Sequence, residues 1–313
     1  MYDTINMRLY ADECRGVDFM QDLPQRLTSA DINENKRTGA RWLTGRLDNL
    51  KIIADTCTLQ VRDGSLCKWY LGDNYQTLGK ADTQRAIESL SDALGLPLEL
   101  AFITRLDVAT NMIMEHQPEA YLQLLGPMRY MRRLAEPNGI YYTQKTCRLI
   151  FYDKAAETRA QGDVIPALYD GRSVLRYEQR YTKRIARRLN RPELRAAGLY
   201  DDSLHRELVR RWLDGYRQIQ KINKTAINFE MVKTKRDFYK LGLLSLIEKA
   251  GGANEMLAQI DTARKTGQLG SKQAYDLRAA VREACAIDGS IVRESELVHE
   301  LDKKITEAAL LYM

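Results

Sequence analysis

The sequence RLIFYDK at positions 148–154 alternates in the way a β-strand does. Because successive side chains of a strand point to opposite faces, Arg148, Ile150, Tyr152 and Lys154 share one face. The remaining positions are mostly apolar, and a charge on an apolar strand costs free energy unless it is paired or used. This face is therefore a candidate for a chemical role.

Two other segments carry charged residues in the same arrangement: Arg105 and Asp107 in ITRLD (103–107), and Arg176, Glu178 and Arg180 in LRYEQR (175–180). If the three strands lie in one sheet, two carboxylates, a phenol and several cations converge on one patch. That combination suits the metal-assisted attack of a tyrosine on a phosphodiester. Singly, each residue is common on a solvated strand face, so the prediction depends on their joint occurrence.

The chain has 313 residues, of which 44% are hydrophobic, enough for one large domain or two smaller ones. Its net charge is +6, and nine basic residues face two acidic ones between positions 172 and 195. Such a local excess is typical of a surface that contacts the nucleic-acid backbone, although a solvated helix face gives a similar pattern. The predicted DNA contacts are Arg105, Arg148, Arg176, Arg180, Lys183, Arg184, Arg187 and Arg188.

The five cysteines are scattered without a CxxC pair, which is typical of reduced thiols rather than of disulfides or a zinc site. The start of the chain lacks the basic and apolar regions of a secretory signal. No stretch has the apolar length of a membrane span. These features predict a cytoplasmic protein that does not associate with membranes.

The pattern predicts an α+β fold, with a central, mainly antiparallel sheet and flanking helices, followed by an all-helical region. The predicted domains are 1–192 and 193–313. Predicted strands lie at the start of the chain, two or three between 41 and 71, and at 101–110, 139–144, 147–152 and 173–181. Predicted helices are 17–29, 82–95, 118–125, 182–189, one carrying Trp212, 235–249, 253–264, 272–286 and 291–311.

In their order and spacing, the three motifs resemble the filamentous-phage gene II family of replication initiator endonucleases and its rolling-circle plasmid relatives. The resemblance is clearest over 103–189, including the basic segment after the third motif. It extends weakly to 65–97, where Gly72-Asp73-Asn74 corresponds to Gly-His-Asn in phage members. The C-terminal helical region has no comparable similarity.

The resemblance implies that Tyr152 is the nucleophile and that Asp107 and Glu178 bind Mg²⁺ or Mn²⁺. It offers Asp73 as a third ligand, since an acidic group at that position suits a hard cation. Lys154 is expected to lower the pKa of the tyrosine or to hold a phosphate oxygen. The paired histidines of HUH nucleases are absent from the sequence.

The expected activity is nicking and rejoining of origin DNA through a 5′-phosphotyrosyl intermediate, which starts rolling-circle replication. Single-stranded or origin DNA is the expected partner, and a host helicase and polymerase are further candidates. The alternative is a DNA-binding initiator that never cuts.

Two alternatives concern other residues. Tyr141 or Tyr142 could be a second nucleophile. The C-terminal segment 253–286 could form a helix-turn-helix. A tyrosine recombinase fits poorly, because HREL at 205–208 lacks the arginine of a His-x-x-Arg box.

Overall fold

The structure, a computed structural model, describes residues 1–14, 16–222, 225–227, 232, 234–286 and 292–313. The strands in these ranges are β1 (Tyr2–Tyr10), β2 (Thr28–Glu34), β3 (Arg41–Leu47), β4 (Leu50–Ala54), β5 (Thr58–Arg62), β6 (Phe102–Met114), β7 (Leu125–Met128), β8 (Arg132–Glu136), β9 (Gly139–Thr143), β10 (Cys147–Asp153), β11 (Ser173–Tyr181), β12 (Ile219–Lys221), β13 (Thr225–Ile227) and β14 (Val292–Glu294). The α-helices are α1 (Phe19–Asp22), α2 (Leu66–Leu71), α3 (Lys80–Leu94), α4 (Pro118–Leu122), α5 (Lys154–Ala160), α6 (Ile185–Arg188), α7 (Asp202–Arg217), α8 (Lys235–Lys249), α9 (Ala253–Lys265), α10 (Ser271–Cys285) and α11 (Glu296–Tyr312).

Ten strands form one sheet in the order β2-β3-β4-β5-β1-β6-β11-β10-β9-β8. Every neighbouring pair is antiparallel. The predicted α+β fold with an antiparallel sheet followed by helices is therefore confirmed. The three motif strands β6, β11 and β10 are direct neighbours near the middle of the sheet.

The chain divides into two compact units, Met1–Ile222 with Leu297–Met313, and Asn223–Glu296. The first unit holds the large sheet and α11, whose buried face includes Leu301 and Ile305. The second holds α8, α9 and α10 around a small core that includes Ile247 and Ile260. The proposed domain boundary after residue 192 stays a prediction.

The helix predicted over 17–29 is wrong for most of its length. Asp18 caps only one turn, Phe19–Asp22, by accepting a hydrogen bond from the Met20 backbone amide at 2.8 Å. Pro24 follows, and because proline lacks an N–H group it favours the end of a helix. The chain then enters β2, which pairs with β3.

The segment 66–71, which lies in the region predicted as strands, is a helix. Ser65 caps it by accepting a hydrogen bond from the Lys68 amide at 3.0 Å, and Gly72 ends it at φ 88°. By contrast, the helix predicted over 82–95 with a glycine stop is confirmed as α3, which Gly95 ends at φ 66°.

The predicted C-terminal helices are confirmed with shifted ends. The last one begins at Glu296, after the short strand β14; residue 291, its predicted start, lies outside the described residues. Across the described part of the chain, no helix combines the length and apolarity needed to cross a membrane.

Helix α7 packs on the sheet through Trp212, which is fully buried as predicted. Its ring stacks on Tyr177 at 4.5 Å between centroids, and the Tyr177 hydroxyl donates to the Trp212 carbonyl at 2.8 Å. We expect Trp212→Ala to reduce the free energy of unfolding by about 3–5 kcal/mol, because the cavity cannot be refilled. Urea denaturation followed by circular dichroism measures this loss.

The matched control for that measurement is Leu311→Ala, since this side chain is 79% exposed. It should change stability by less than about 0.5 kcal/mol. A Trp212→Ala protein as stable as the control would contradict the packing of α7 on the sheet.

Candidate active site

The register of β6, β11 and β10 brings the three sequence motifs onto one face of the sheet. Arg180 lies opposite both Asp107 and Arg148. Two residues along β11, Glu178 lies opposite Ile150. Because side chains directly opposite each other share a face, the charged residues of the three strands converge as expected.

Three buried carboxylates meet on this face: Asp3 of β1, Asp107 of β6 and Glu178 of β11. One oxygen of each lies within 4.8 Å of the others. They are 4%, 0% and 3% exposed, respectively. Carboxylate oxygens are the ligands that Mg²⁺ and Mn²⁺ prefer, so the set fits a divalent cation.

Asp3 was missed by the sequence analysis, because the regular alternation of Ile5, Met7 and Leu9 assigns it to the other face. In β1 the pairing with β6 shifts between Tyr2 and Ile5, where three positions of β1 match two of β6. Such a β-bulge reverses the side-chain direction. Asp3 therefore faces the site, where Ser65 Oγ donates to its Oδ1 at 2.6 Å.

Asp73, the predicted third metal ligand, is not a member of this carboxylate group. It lies in the turn after α2, where its Oδ1 accepts hydrogen bonds from the backbone amides of Tyr75 at 2.8 Å and Gln76 at 3.4 Å. An aspartate in this position stabilises a turn. Asp3 rather than Asp73 lies beside Asp107 and Glu178.

Three arginines balance the charge of the carboxylates. Arg105 donates to Asp107, with Nε 3.0 Å from Oδ1. Arg180 bridges two carboxylates, from Nε to Asp107 Oδ2 at 3.1 Å and from Nη2 to Glu178 Oε1 at 2.5 Å. Both of these side chains are 24% exposed and so reach the surface of the site.

Arg176 differs from the other two because it is fully buried. Its Nη2 lies 2.8 Å from Asp3 Oδ2, and its Nη1 donates to the Asn74 carbonyl at 3.0 Å and to Asn111 Oδ1 at 3.2 Å. The prediction that Arg176 contacts the DNA backbone does not fit this burial. Its guanidinium instead lies within the site, directly across the strands from Tyr152.

The two neighbouring carboxylates differ in their affinity for protons. Burial and the nearby Glu178 charge raise the pKa of Asp107 to about 8. Burial also opposes ionisation of Glu178, but Arg180 and Arg176 outweigh it and lower the pKa of Glu178 to about 2. At neutral pH this pair therefore carries one ionised carboxylate and one proton.

Tyr152 is half-buried and lines a pocket of about 430 Å³ together with Tyr141, Glu178 and Arg180. Gly139 lies opposite Tyr152 on β9, and a Cβ atom there would come within 3.1 Å of the Tyr152 Cβ. Burial raises the pKa of Tyr152 well above its usual value, and the positive charge of Arg176 opposes that rise.

Lys154 was expected on the same strand face as Tyr152, but β10 ends at Asp153 and Lys154 is the first residue of α5. Asp153 caps this helix by accepting from the Ala156 amide at 2.9 Å. The buried Lys154 ammonium donates to Glu157 Oε2 at 2.6 Å. Burial, and then the charge of Arg176, lower the pKa of Lys154.

The remaining predicted DNA contacts are mostly at the surface. Arg148, Lys183, Arg184 and Arg187 are exposed. Arg188 is half-buried and donates from Nη1 to Thr146 Oγ1 at 3.0 Å. The helix predicted over 182–189 is the single turn α6, which begins at Ile185.

The two alternative tyrosines lie on opposite faces of β9. Tyr141 lines the same pocket as Tyr152. Tyr142 is fully buried on the other face, where its hydroxyl donates to the Gly126 carbonyl at 2.6 Å. Only Tyr141 of this pair can reach a substrate that contacts Tyr152.

The comparison with known families agrees with this geometry. The family of phage replication-associated proteins, described by the N-terminal region of the gene II type, matches residues 1–215. The match includes all four strands that carry the carboxylates and the tyrosine, and it spans well over half of the chain. No curated protein matches the sequence. The chain belongs to this family of phage replication-associated proteins, as the resemblance of its three motifs predicted.

Proposed function

We propose that this replication protein nicks and rejoins origin DNA, with Tyr152 as the nucleophile. The observation that carries the proposal is the pocket in which Tyr152 lies beside Glu178 and Arg180, at the edge of the buried carboxylate group. Such a buried acidic group next to a tyrosine has no evident structural need, because three arginines are required to balance its charge.

In the proposed reaction the Tyr152 oxygen attacks phosphorus, and the bond from phosphorus to the 3′ oxygen breaks. The tyrosine loses its proton to solvent, the 3′ oxygen gains one, and the downstream strand stays attached through a 5′-phosphotyrosine. The free 3′-OH can then prime synthesis. Because the covalent link conserves the phosphodiester energy, the reverse attack rejoins the strand without ATP.

Asp3, Asp107 and Glu178 would hold a divalent cation. When bound, the ion supplies positive charge that offsets the charge developing on the phosphate. Arg105 and Arg180 are partly exposed, so their guanidinium groups can turn from the carboxylates toward a phosphate. Mg²⁺ or Mn²⁺ suits the all-oxygen ligand set.

Arg176 is proposed to position and activate Tyr152 rather than to bind DNA. Its buried charge lies across the strand pair from the phenol and opposes the rise in the tyrosine pKa that burial causes. Lys154 contributes a second buried cation near Arg176 and Glu157. We propose that both favour the phenolate as it attacks.

Arg148, Lys183, Arg184 and Arg187 are proposed to contact the DNA backbone, since they are exposed cations on or beside the strands of the site. These contacts would fix the strand without reading its bases. A host helicase and polymerase remain proposed partners.

The test uses single-stranded DNA that covers the origin, labelled at either end and incubated with the protein and Mn²⁺ or with EDTA. We expect an adduct that survives denaturing electrophoresis, carries the 3′ label and requires the metal. The 5′-labelled fragment should be released with a free 3′-OH. Binding without an adduct in any metal would instead identify a DNA-binding initiator that does not cut.

The raised pKa of Asp107 predicts how metal binding depends on pH. Because a proton on this carboxylate competes with the cation, Mn²⁺ affinity should rise about tenfold per pH unit from pH 6 and level off above about pH 8. Glu178 stays ionised throughout this range. Electron paramagnetic resonance of free Mn²⁺ at several pH values measures the affinity.

The control for this titration is Asp107→Asn, which should bind Mn²⁺ weakly and with little dependence on pH between 6 and 8. A constant affinity of the unmodified protein over that interval would contradict a proton shared by Asp107 and Glu178.

A further inference from the structure

A second pocket, of about 490 Å³, lies on the face of the sheet opposite to Tyr152, between the sheet and α7. Leu149 and Gln179 are paired across β10 and β11, one position away from the Ile150–Glu178 pair. Since the side-chain period of a strand is two, they point to the other face. Gly215 of α7 allows a close approach, because a Cβ there would lie 3.0 Å from Leu149 Cδ2.

The inner wall of this pocket contains polar groups without partners among the described residues. Tyr181 is 1% exposed and Gln179 is 5% exposed, and both line the pocket. Within the described part of the chain, neither the Tyr181 hydroxyl nor Gln179 Oε1 has a hydrogen-bond partner, and the same is true of Arg188 Nε. An unpaired buried polar atom costs free energy, so three of them around one cavity indicate a missing polar occupant.

The outer rim is cationic and carries an exposed aromatic ring. Arg129, Arg210 and Arg211 line it, against the acidic Glu207 and Asp214. With Arg188, four cations face two anions. Arginines grouped in this way suit a phosphate.

Tyr130 is the aromatic residue of the rim. It is 80% exposed, and the Arg129 guanidinium lies 4.6 Å from its ring centroid. Its φ of 65° is in the left-handed region, which bulky residues rarely adopt. Strain of this kind is retained mainly where the residue has a function.

We propose that this pocket binds one nucleotide unit, at a site separate from the tyrosine. The Tyr130 ring stacks on the base, the Tyr181 hydroxyl and the Gln179 amide bond to its polar edge, and the rim arginines hold the phosphate. A phenol next to an amide offers both a donor and an acceptor, which a base edge requires. The volume lies in the range of small-molecule sites.

The nucleotide could be free or part of a DNA strand, and the proposed function supports the second source. A strand held here as well as at Tyr152 would be anchored on both faces of the sheet. This inference rests on the proposed function only for the source of its ligand. Its test omits metal, so that binding is measured without nicking.

The experiment measures two probes in EDTA with the full chain. The four deoxynucleoside monophosphates are titrated by calorimetry, and a single-stranded DNA of about 20 nucleotides, longer than one binding site, is titrated by fluorescence anisotropy. Tyr181→Phe removes only the unpartnered hydroxyl. Tyr130→Asn removes the ring while keeping a residue that tolerates a positive φ. Tyr200→Phe is the control, because its hydroxyl also has no partner among the described residues but it does not line this pocket.

We expect Tyr181→Phe to weaken binding about five- to tenfold and Tyr130→Asn about tenfold or more. The melting temperature of Tyr181→Phe should be unchanged or higher, since an unpaired hydroxyl is lost. Tyr200→Phe should bind as the unmodified protein does. If only the DNA loses affinity, the nucleotide belongs to a strand; if the monophosphates also do, the site accepts free nucleotide.

Unchanged affinity of both variants for both probes would overturn the inference and leave water as the occupant. That result is distinguishable from failure of the nicking reaction, since an adduct can still form at Tyr152. Conversely, altered binding without any adduct would support this pocket and refute the proposed chemistry.

Discussion

Replacing Tyr152 by phenylalanine should reduce the covalent protein–DNA adduct by at least about a thousandfold. The change removes the oxygen that would attack phosphorus, and transition-state contacts elsewhere cannot replace a missing nucleophile. Because Tyr152 is half-buried at the pocket, the loss of one hydroxyl should leave the fold intact. The measurement is adduct formation with 3′-labelled origin DNA in Mn²⁺, alongside DNA affinity in EDTA.

Two neighbouring tyrosines serve as matched controls. Tyr141→Phe changes the same pocket and should keep the first cleavage, because Tyr141 lies one strand further from the carboxylates. Tyr142→Phe removes a buried hydrogen bond to Gly126 and should lower stability by about 1 kcal/mol without preventing adduct formation. An adduct that persists in Tyr152→Phe but disappears in Tyr141→Phe would transfer the nucleophilic role to Tyr141.

Removal of either central carboxylate should have a comparably large effect on the reaction. Asp107→Asn and Glu178→Gln should each lower the rate of adduct formation by roughly two to three orders of magnitude. Both keep the shape of the side chain and remove a charge that the proposed cation requires. Mn²⁺ affinity should fall in parallel, which separates loss of the metal from loss of DNA binding.

Folding must be measured together with this activity. Glu178 is an ion-pair partner of Arg176 and Arg180, so its replacement leaves buried positive charge and should cost about 3–5 kcal/mol of stability. Asp107 holds a proton at neutral pH, so Asp107→Asn should cost less. Circular dichroism melting curves distinguish unfolded protein from folded but inactive protein.

Asp73→Asn is the matched control for the carboxylate series. Asp73 holds a turn through backbone hydrogen bonds that an asparagine side-chain oxygen can also accept. Activity within about threefold of the unmodified protein is expected. A loss as large as that of Asp107→Asn would return Asp73 to the metal site and contradict the assignment of Asp3.

The sequence supports the central part of the site because alternation is a local property of a strand. The segments around Asp107, Tyr152 and Glu178 each lie in one unbroken strand, so counting by two assigns their faces correctly. Charged residues on otherwise apolar strands were the detectable signal. The order of the motifs added the family, which the match over residues 1–215 bears out.

Two parts of the site could not be read in this way. Asp3 depends on a bulge in β1, and a bulge reverses the side-chain direction without a mark in the alternation. Arg176 has the same spacing as the partly exposed Arg180, yet it is buried by contacts with Asp3, Asn74 and Asn111. Those partners are far from it in sequence, so no local pattern could reveal its burial.

The sequence by itself determined the fold class, the family and the tyrosine strand, because each follows from a short-range pattern or from the order of such patterns. Only the tertiary structure decided which carboxylates meet, which arginine is buried and which tyrosine of β9 faces the pocket. The physical reason is that sheet order places β1 beside β6 and β11 beside β6, although about a hundred and about seventy residues, respectively, separate these strands. Register between distant strands, rather than local periodicity, assembles the site.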